Sequence, residues 1–116
     1  MLRQTYRQRI VERHRRRDRQ LEADMRREAA RLARLAAARY RFRRIYLFGS
    51  VARSARLAVW SDIDLAVEGL APGDYWPLVG MLTADAKYPL DVKVLEDMPA
   101  ASRNEIRATG VVLHEA

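Results

Sequence analysis

Two aspartates flank a single apolar residue at Asp62-Ile63-Asp64, and the chain continues Leu65-Ala66-Val67. On a β-strand alternate side chains point to opposite faces, so Asp62, Asp64 and Ala66 share one face and Ile63, Leu65 and Val67 the other. Two carboxylates at that spacing can hold one divalent ion or two neighbouring ones. Mg2+ takes hard oxygen ligands and is usually held by a few carboxylates together with substrate phosphates. Ahead of this pair, with eleven residues between, Gly49-Ser50 follows the apolar run Ile45-Tyr46-Leu47-Phe48. Gly49 permits a tight turn and close approach of the backbone. Backbone N–H groups at a helix start, joined by the Ser50 hydroxyl, can cradle a phosphate. A third carboxylate, Asp91, sits in the alternating segment Pro89-Leu90-Asp91-Val92-Lys93-Val94-Leu95. If that segment pairs beside the Asp62/Asp64 strand, Asp91 completes a triad. Each feature alone has an ordinary reading: a solvated strand face, a strand-to-helix turn, a strand-edge acid. Their conjunction points to metal-assisted chemistry at phosphorus.

The elements that must position these residues follow from the surrounding pattern. The spacing predicts a strand over 43–48, a short helix near 50–56 and a strand over 62–68. Gly69, Pro72 and Gly73 mark a loop. Asp74 is placed to N-cap a helix over Tyr75–Ala86 that buries some of Trp76, Leu78, Val79 and Leu82. A strand over 89–95 comes next. Pro99 opens a helix to about Ala108 with Gly110 at its end, and Val111-Val112-Leu113 forms a last strand or cap. Residues 1–40 contain no Gly or Pro and are rich in strong helix formers. Leu2, Tyr6 and Ile10 begin an apolar stripe that Leu21, Met25, Ala29, Leu32 and Ala36 resume. The basic run Arg13-His14-Arg15-Arg16-Arg17 interrupts it, so the stretch reads as one long helix or two with a break there. Its second half, Leu21–Tyr40, is expected to pack on the sheet and its first half to project. The expected fold is α/β in the α+β sense: a small mixed sheet with helices mainly on one side. Residues 1–42 read as a basic helical extension packing on the core, and 43–116 as the core domain.

Length and composition narrow the function. The chain has 116 residues and no Cys, which removes disulfides, zinc–thiolate sites and a thiol nucleophile. His14 and His114 stand at opposite ends, and His114 reads as a surface residue. No run has the length of a membrane span and no signal peptide opens the chain, so the expectation is a soluble cytoplasmic protein. Residues 1–44 hold 16 Arg against 5 acids, a net +11, whereas 45–116 hold 6 basic residues against 10 acids, a net −4. The basic character therefore belongs to the N-terminal helix. Such a helix serves polyanion binding, docking to an acidic partner or self-association; nucleic-acid binding is not the favoured reading of the sequence. Trp60 and Trp76 read as packing residues, and Lys93, on the face of Asp91, as a salt-bridge partner.

The motifs Leu47-Phe48-Gly49-Ser50-Val51-Ala52-Arg53, Ser61-Asp62-Ile63-Asp64-Leu65-Ala66-Val67-Glu68-Gly69 and Leu90-Asp91-Val92 closely resemble those of the minimal nucleotidyltransferases of the MNT type, in the DNA polymerase β-like superfamily. The resemblance spans about Arg43 to Leu113. It implies that Gly49 and Ser50 contact nucleotide phosphates, with Arg53 beside them. It implies that Asp62, Asp64 and Asp91 are catalytic and bind Mg2+, two ions in all, with ATP as substrate. The chain departs from the family at Ser54, where Gly is common, and in the spacer ending Ala58-Val59-Trp60-Ser61, which is one residue longer. With no second domain to select an acceptor, the resemblance implies a partner: a small all-helical HEPN-type toxin that receives AMP on a tyrosine hydroxyl, making this chain the antitoxin. The alternatives are a non-catalytic antitoxin that masks its partner, and a nucleotidyltransferase acting on RNA or a small molecule.

Overall fold

The Gly- and Pro-free stretch forms one uninterrupted helix, α1 (Tyr6–Arg39), in a computed structural model that describes residues 5–53 and 61–116, the His14 side chain excepted. Thr5 starts it with a capping box. Gln8 N–H donates to Thr5 Oγ1 at 3.2 Å and Thr5 N–H donates to Gln8 Oε1 at 2.8 Å, so each side chain satisfies the other residue's backbone donor, which lacks a helical partner. The basic run does not break the helix, because arginine is a strong helix former and no competing turn residue is present. α1 ends where Tyr40 turns extended. Its second half buries Met25, Ala29, Leu32, Ala33 and Ala36 completely, in one cluster with the sheet. Its first half is largely exposed, and Tyr6 is 78% exposed. The molecule is correspondingly elongated, 61 × 30 × 21 Å.

Four strands form one mixed sheet in the order β3-β2-β1-β4, comprising β1 (Arg44–Phe48), β2 (Ile63–Glu68), β3 (Leu90–Val94) and β4 (Val111–Glu115). β1 runs antiparallel to both β2 and β4, and β2 and β3 are parallel. The parallel pair needs a crossover, supplied by α3 (Tyr75–Asp85). Ile45, Leu47, Ile63, Leu65, Val67 and Val92 pack on one face beneath α1 and α3. The opposite face carries a smaller cluster of Tyr46, Ala66, Leu95 and Ile106, the last from α4 (Ala100–Thr109). Helices therefore lie on both faces, and among the described residues α4 is the one on the carboxylate side. A four-residue helix, α2 (Gly49–Ala52), follows β1, and the rest of the helix expected over 50–56 lies outside the described residues, as does Trp60.

Three expectations need correction. Asp74 holds the N-cap position of α3 but its side chain caps nothing, because the turn Pro72–Asp74 delivers it with helical backbone angles (φ −90, ψ −10) where capping needs an extended residue. Trp76 is 75% exposed. Leu78 and Leu82 carry the buried face of α3, and at 100° per residue Trp76 lies roughly 160° around from Leu78. His114 is half-buried and packs edge-on against Phe42, with ring centroids 5.4 Å apart.

Buried ion pairs fasten α1 and the sheet to the loops. Glu28 is nearly buried and accepts from Arg31 Nε at 2.7 Å, Arg31 Nη2 at 2.9 Å and the Lys87 backbone N–H at 2.6 Å. Arg31 also donates to the Asp85 backbone carbonyl at 2.9 Å. The Arg31 hydrogen bond holds the Glu28 carboxyl below the ordinary glutamate range, against the opposing effect of burial. On the other face burial pushes the Glu68 carboxyl up, but Arg107, bonded to Glu68 Oε2 at 2.9 Å, with Arg43 and Arg44 leaves it below the ordinary range.

Candidate active site

β1 ends at Phe48, the register partner of Asp64, so the chain turns at Gly49 directly over the first residues of β2. Gly49 has φ +75, a conformation L side chains rarely adopt. A side chain there would also collide with Asp64: a Cβ on Gly49 would overlap Oδ2 and stand 3.0 Å from Cγ. The turn and the carboxylate are thus in van der Waals contact. Ser50 follows in α2, half-buried, and Arg53 closes α2 as an exposed residue whose backbone N–H donates to Gly49 O at 3.1 Å.

Parallel pairing sets Asp64 beside Asp91 as register partners, with Ala66 beside Lys93. Asp64, Asp91 and Lys93 consequently share the face opposite the main core. Asp62 is exposed just ahead of β2, whose ladder is extended by the Ile63 N–H donating to Pro89 O at 2.8 Å. Burial, then the charges of Asp91 and Asp62, push the Asp64 carboxyl up from 3.8 to about 6, against the pull of Lys93 and Arg53. Asp62 and Asp91 therefore both act electrostatically on Asp64.

No group of three His, Cys, Asp or Glu among the described residues is arranged to hold a metal ion. Asp91 Oδ2 instead lies 3.3 Å from Lys93 Nζ. The donor set still fits a hard divalent cation, because its atoms are carboxylate oxygens; burial first, and then the charges of Asp91 and Asp62, keep Asp64 protonated to an unusually high pH.

Two pockets open near these strands. One, of about 240 Å3, opens beside the turn between α2 and α4, with Gly49, Arg53, Met98, Ser102 and Glu105 on its walls. The other, of about 680 Å3, lies at the far ends of β2 and β3 and is walled by Tyr75, Trp76, Lys93, Glu96 and Met98. Tyr75 and Trp76 meet edge to face at 5.0 Å, and Tyr75 Oη donates to Val92 O at 2.7 Å.

Sequence reasoning missed Arg26. From α1 its Nη2 donates to the carbonyls of Val51 and Ala52 at 3.1 and 3.0 Å, and its Nε lies 3.1 Å from Glu22 Oε1. Arg26 therefore satisfies the C-terminal carbonyls of the short helix that carries Gly49 and Ser50. The contact spans 25 residues of sequence, so no local spacing announces it.

No family model matches the chain, and no curated protein matches it. Solved structures do. A chain from a crystal structure of a toxin–antitoxin with AMP-PNP matches with TM-score 0.59 and 24% identity, over 77% of this chain and 72% of that one. Two crystal structures of the toxin–antitoxin MntA-HpeT match with TM-score 0.52. The first, an Asp→Glu double mutant, is 24% identical over 65% of this chain and 62% of that one. The other, a Tyr→Ala mutant, is 26% identical over 65% and 61%. The chain thus has the fold of a toxin–antitoxin component, and spans less than two thirds of each MntA-HpeT chain it matches. No helix among the described residues is long and apolar enough to cross a membrane.

Proposed function

We propose that this chain is a metal-dependent nucleotidyltransferase that transfers AMP from ATP to a hydroxyl, of tyrosine, on a HEPN-type helical toxin, and so acts as its antitoxin. The reading rests above all on the packing of the Gly49 turn against Asp64 with Asp91 alongside in register. The likeness to a toxin–antitoxin structure holding AMP-PNP supports it, as does a matched structure in which two aspartates spaced by one residue were changed to glutamate.

Asp62, Asp64 and Asp91 would hold the divalent ions, which when bound supply charge neutralisation on the phosphates and a more acidic acceptor hydroxyl. The chain's own residues do the rest. The Gly49-Ser50 backbone and the Ser50 hydroxyl bind phosphate oxygens, and Arg53 adds a positive charge at the same end. Asp91, now paired with Lys93, would be one of the groups holding an ion and could accept the acceptor hydroxyl's proton. The pocket beside Gly49 receives the rest of the nucleotide.

Intact mass spectrometry tests this directly. The protein is incubated with ATP and Mg2+, with and without the product of the adjacent reading frame, beside an Asp62→Ala/Asp64→Ala control. One or more AMP units on the neighbour, absent in the control, is the expected result. A stable complex that never gains mass would instead support masking without catalysis, a reading favoured by the occupation of Asp91 by Lys93.

A further inference from the structure

The first half of α1 has no part in the chemistry above, yet it carries the densest charge in the molecule. Over residues 6–20 seven arginines, Arg7, Arg9, Arg13, Arg15, Arg16, Arg17 and Arg19, stand against Glu12 and Asp18, a formal +5. All seven are exposed. Arg16 forms an ion pair with Glu12 at 3.6 Å, in a geometry open to water. Continuity of the helix fixes how the charges are arrayed. At 100° per residue the arginines fall on every side, and no sector wider than about 80° lacks one. The arm is roughly 22 Å long at 1.5 Å per residue.

We propose that this arm is a docking element for double-stranded DNA, inserted along the major groove. A folded acidic protein would meet one side of the helix and leave the arginines of the other side in water. A groove walled by phosphates on both sides meets them all. The B-form major groove is about 12 Å wide, against a helix diameter of about 10–12 Å with side chains. The A-form RNA major groove is deep and too narrow for this insertion, so duplex DNA is the occupant that the geometry selects. The contacts are to phosphates, and sequence preference is not required of them.

Salt dependence tests the idea. Fluorescence anisotropy is measured with the full-length protein and a labelled 20-base-pair DNA of arbitrary sequence, at 50 and 200 mM KCl. Neutralising about seven phosphates, one for each arginine, should weaken binding by roughly 6,000-fold across that range, with a slope near −6.3. The variant Arg9→Gln/Arg13→Gln/Arg16→Gln/Arg19→Gln leaves three arginines on the arm, and its salt effect should fall to roughly 40-fold, with a slope near −2.7. Gln keeps the helix, and an unchanged circular dichroism spectrum and melting temperature show that the variant is folded. Absence of binding at 50 mM overturns the proposal, as does a variant that keeps the full slope. Duplex RNA bound as tightly as DNA overturns the groove assignment. Poly-glutamate bound as tightly as the duplex reassigns the arm to an acidic protein partner.

Discussion

Replacing Asp64 by Asn should make the metal-free protein more stable. Asp64 is held beside two other carboxylates in a partly buried position, and its carboxyl is pushed up from 3.8 to about 6. The folded chain binds this proton more tightly than the unfolded chain, so its contribution is fully present below about pH 3.8 and is lost as pH rises through about 6. At about 1.4 kcal/mol per tenfold change in proton affinity, the ionised side chain costs up to about 3 kcal/mol at pH 7.5. Asn has the same shape and no charge. With an unfolding entropy of about 2.1 cal/mol/K per residue, the variant should melt roughly 8–12 °C above wild type at pH 7.5. At pH 4 the difference should shrink to under about 1 kcal/mol, since other carboxylates titrate alike in both proteins and cancel. The assay is thermal denaturation followed by circular dichroism in a chelator at the two pH values. Adding Mg2+ at about ten times its Kd should then raise wild type by about 1.4 kcal/mol and leave the variant unmoved. An Asn variant no more stable than wild type at pH 7.5, or equally stabilised at pH 4, would refute the reasoning.

Further outcomes follow from the contacts around this cluster. Lys93→Met frees Asp91 from an exposed pair worth about 1 kcal/mol, so Mn2+ binding measured by calorimetry should tighten about fivefold; unchanged affinity would show that Lys93 does not compete with the ion. Arg26→Met leaves the Val51 and Ala52 carbonyls without their donor. It should raise the KM for ATP on the order of tenfold with circular dichroism unchanged, whereas a uniform loss of fold would contradict a positioning role. Glu28→Ala should destabilise the chain by about 2–3 kcal/mol in urea unfolding, because it strands the Lys87 N–H and one side of Arg31. The Glu28 carboxyl lies below its ordinary 4.5 in the folded state, so its contribution is present above that value. The gap to wild type should therefore close as pH falls through the lowered value, and a gap that persists in strong acid would contradict it.

Much of this site was legible because its residues obey short-range rules. Alternation placed Asp62, Asp64 and Asp91 on faces opposite their apolar neighbours, and the pairing then put Asp64 beside Asp91. The positive φ of Gly49 is what a strand-to-helix turn demands, but its contact with Asp64 depends on the antiparallel register of β1 with β2, which spacing does not encode. Trp76 misled because large aromatics favour burial, whereas Leu78 and Leu82 had already defined the inward side of α3. Asp74 misled because the turn before it sets backbone angles that residue type does not reveal. The position of α4 on the carboxylate face, and the reach of Arg26 to α2, are long-range packing outcomes with no periodic signature.

The parallel register of β2 and β3 also limits how the gene can change. A slip of one residue in β3 would bring Leu90 or Val92 to the place of Asp91 and turn the acid toward the core. The connection from α3 to β3 is only residues 86–89, and it is pinned at Lys87 by a carboxylate reaching over from α1. An insertion or deletion there has no slack to absorb it. Lineages of this fold should therefore vary in length at Gly69–Gly73 and keep a fixed count between Asp85 and Asp91.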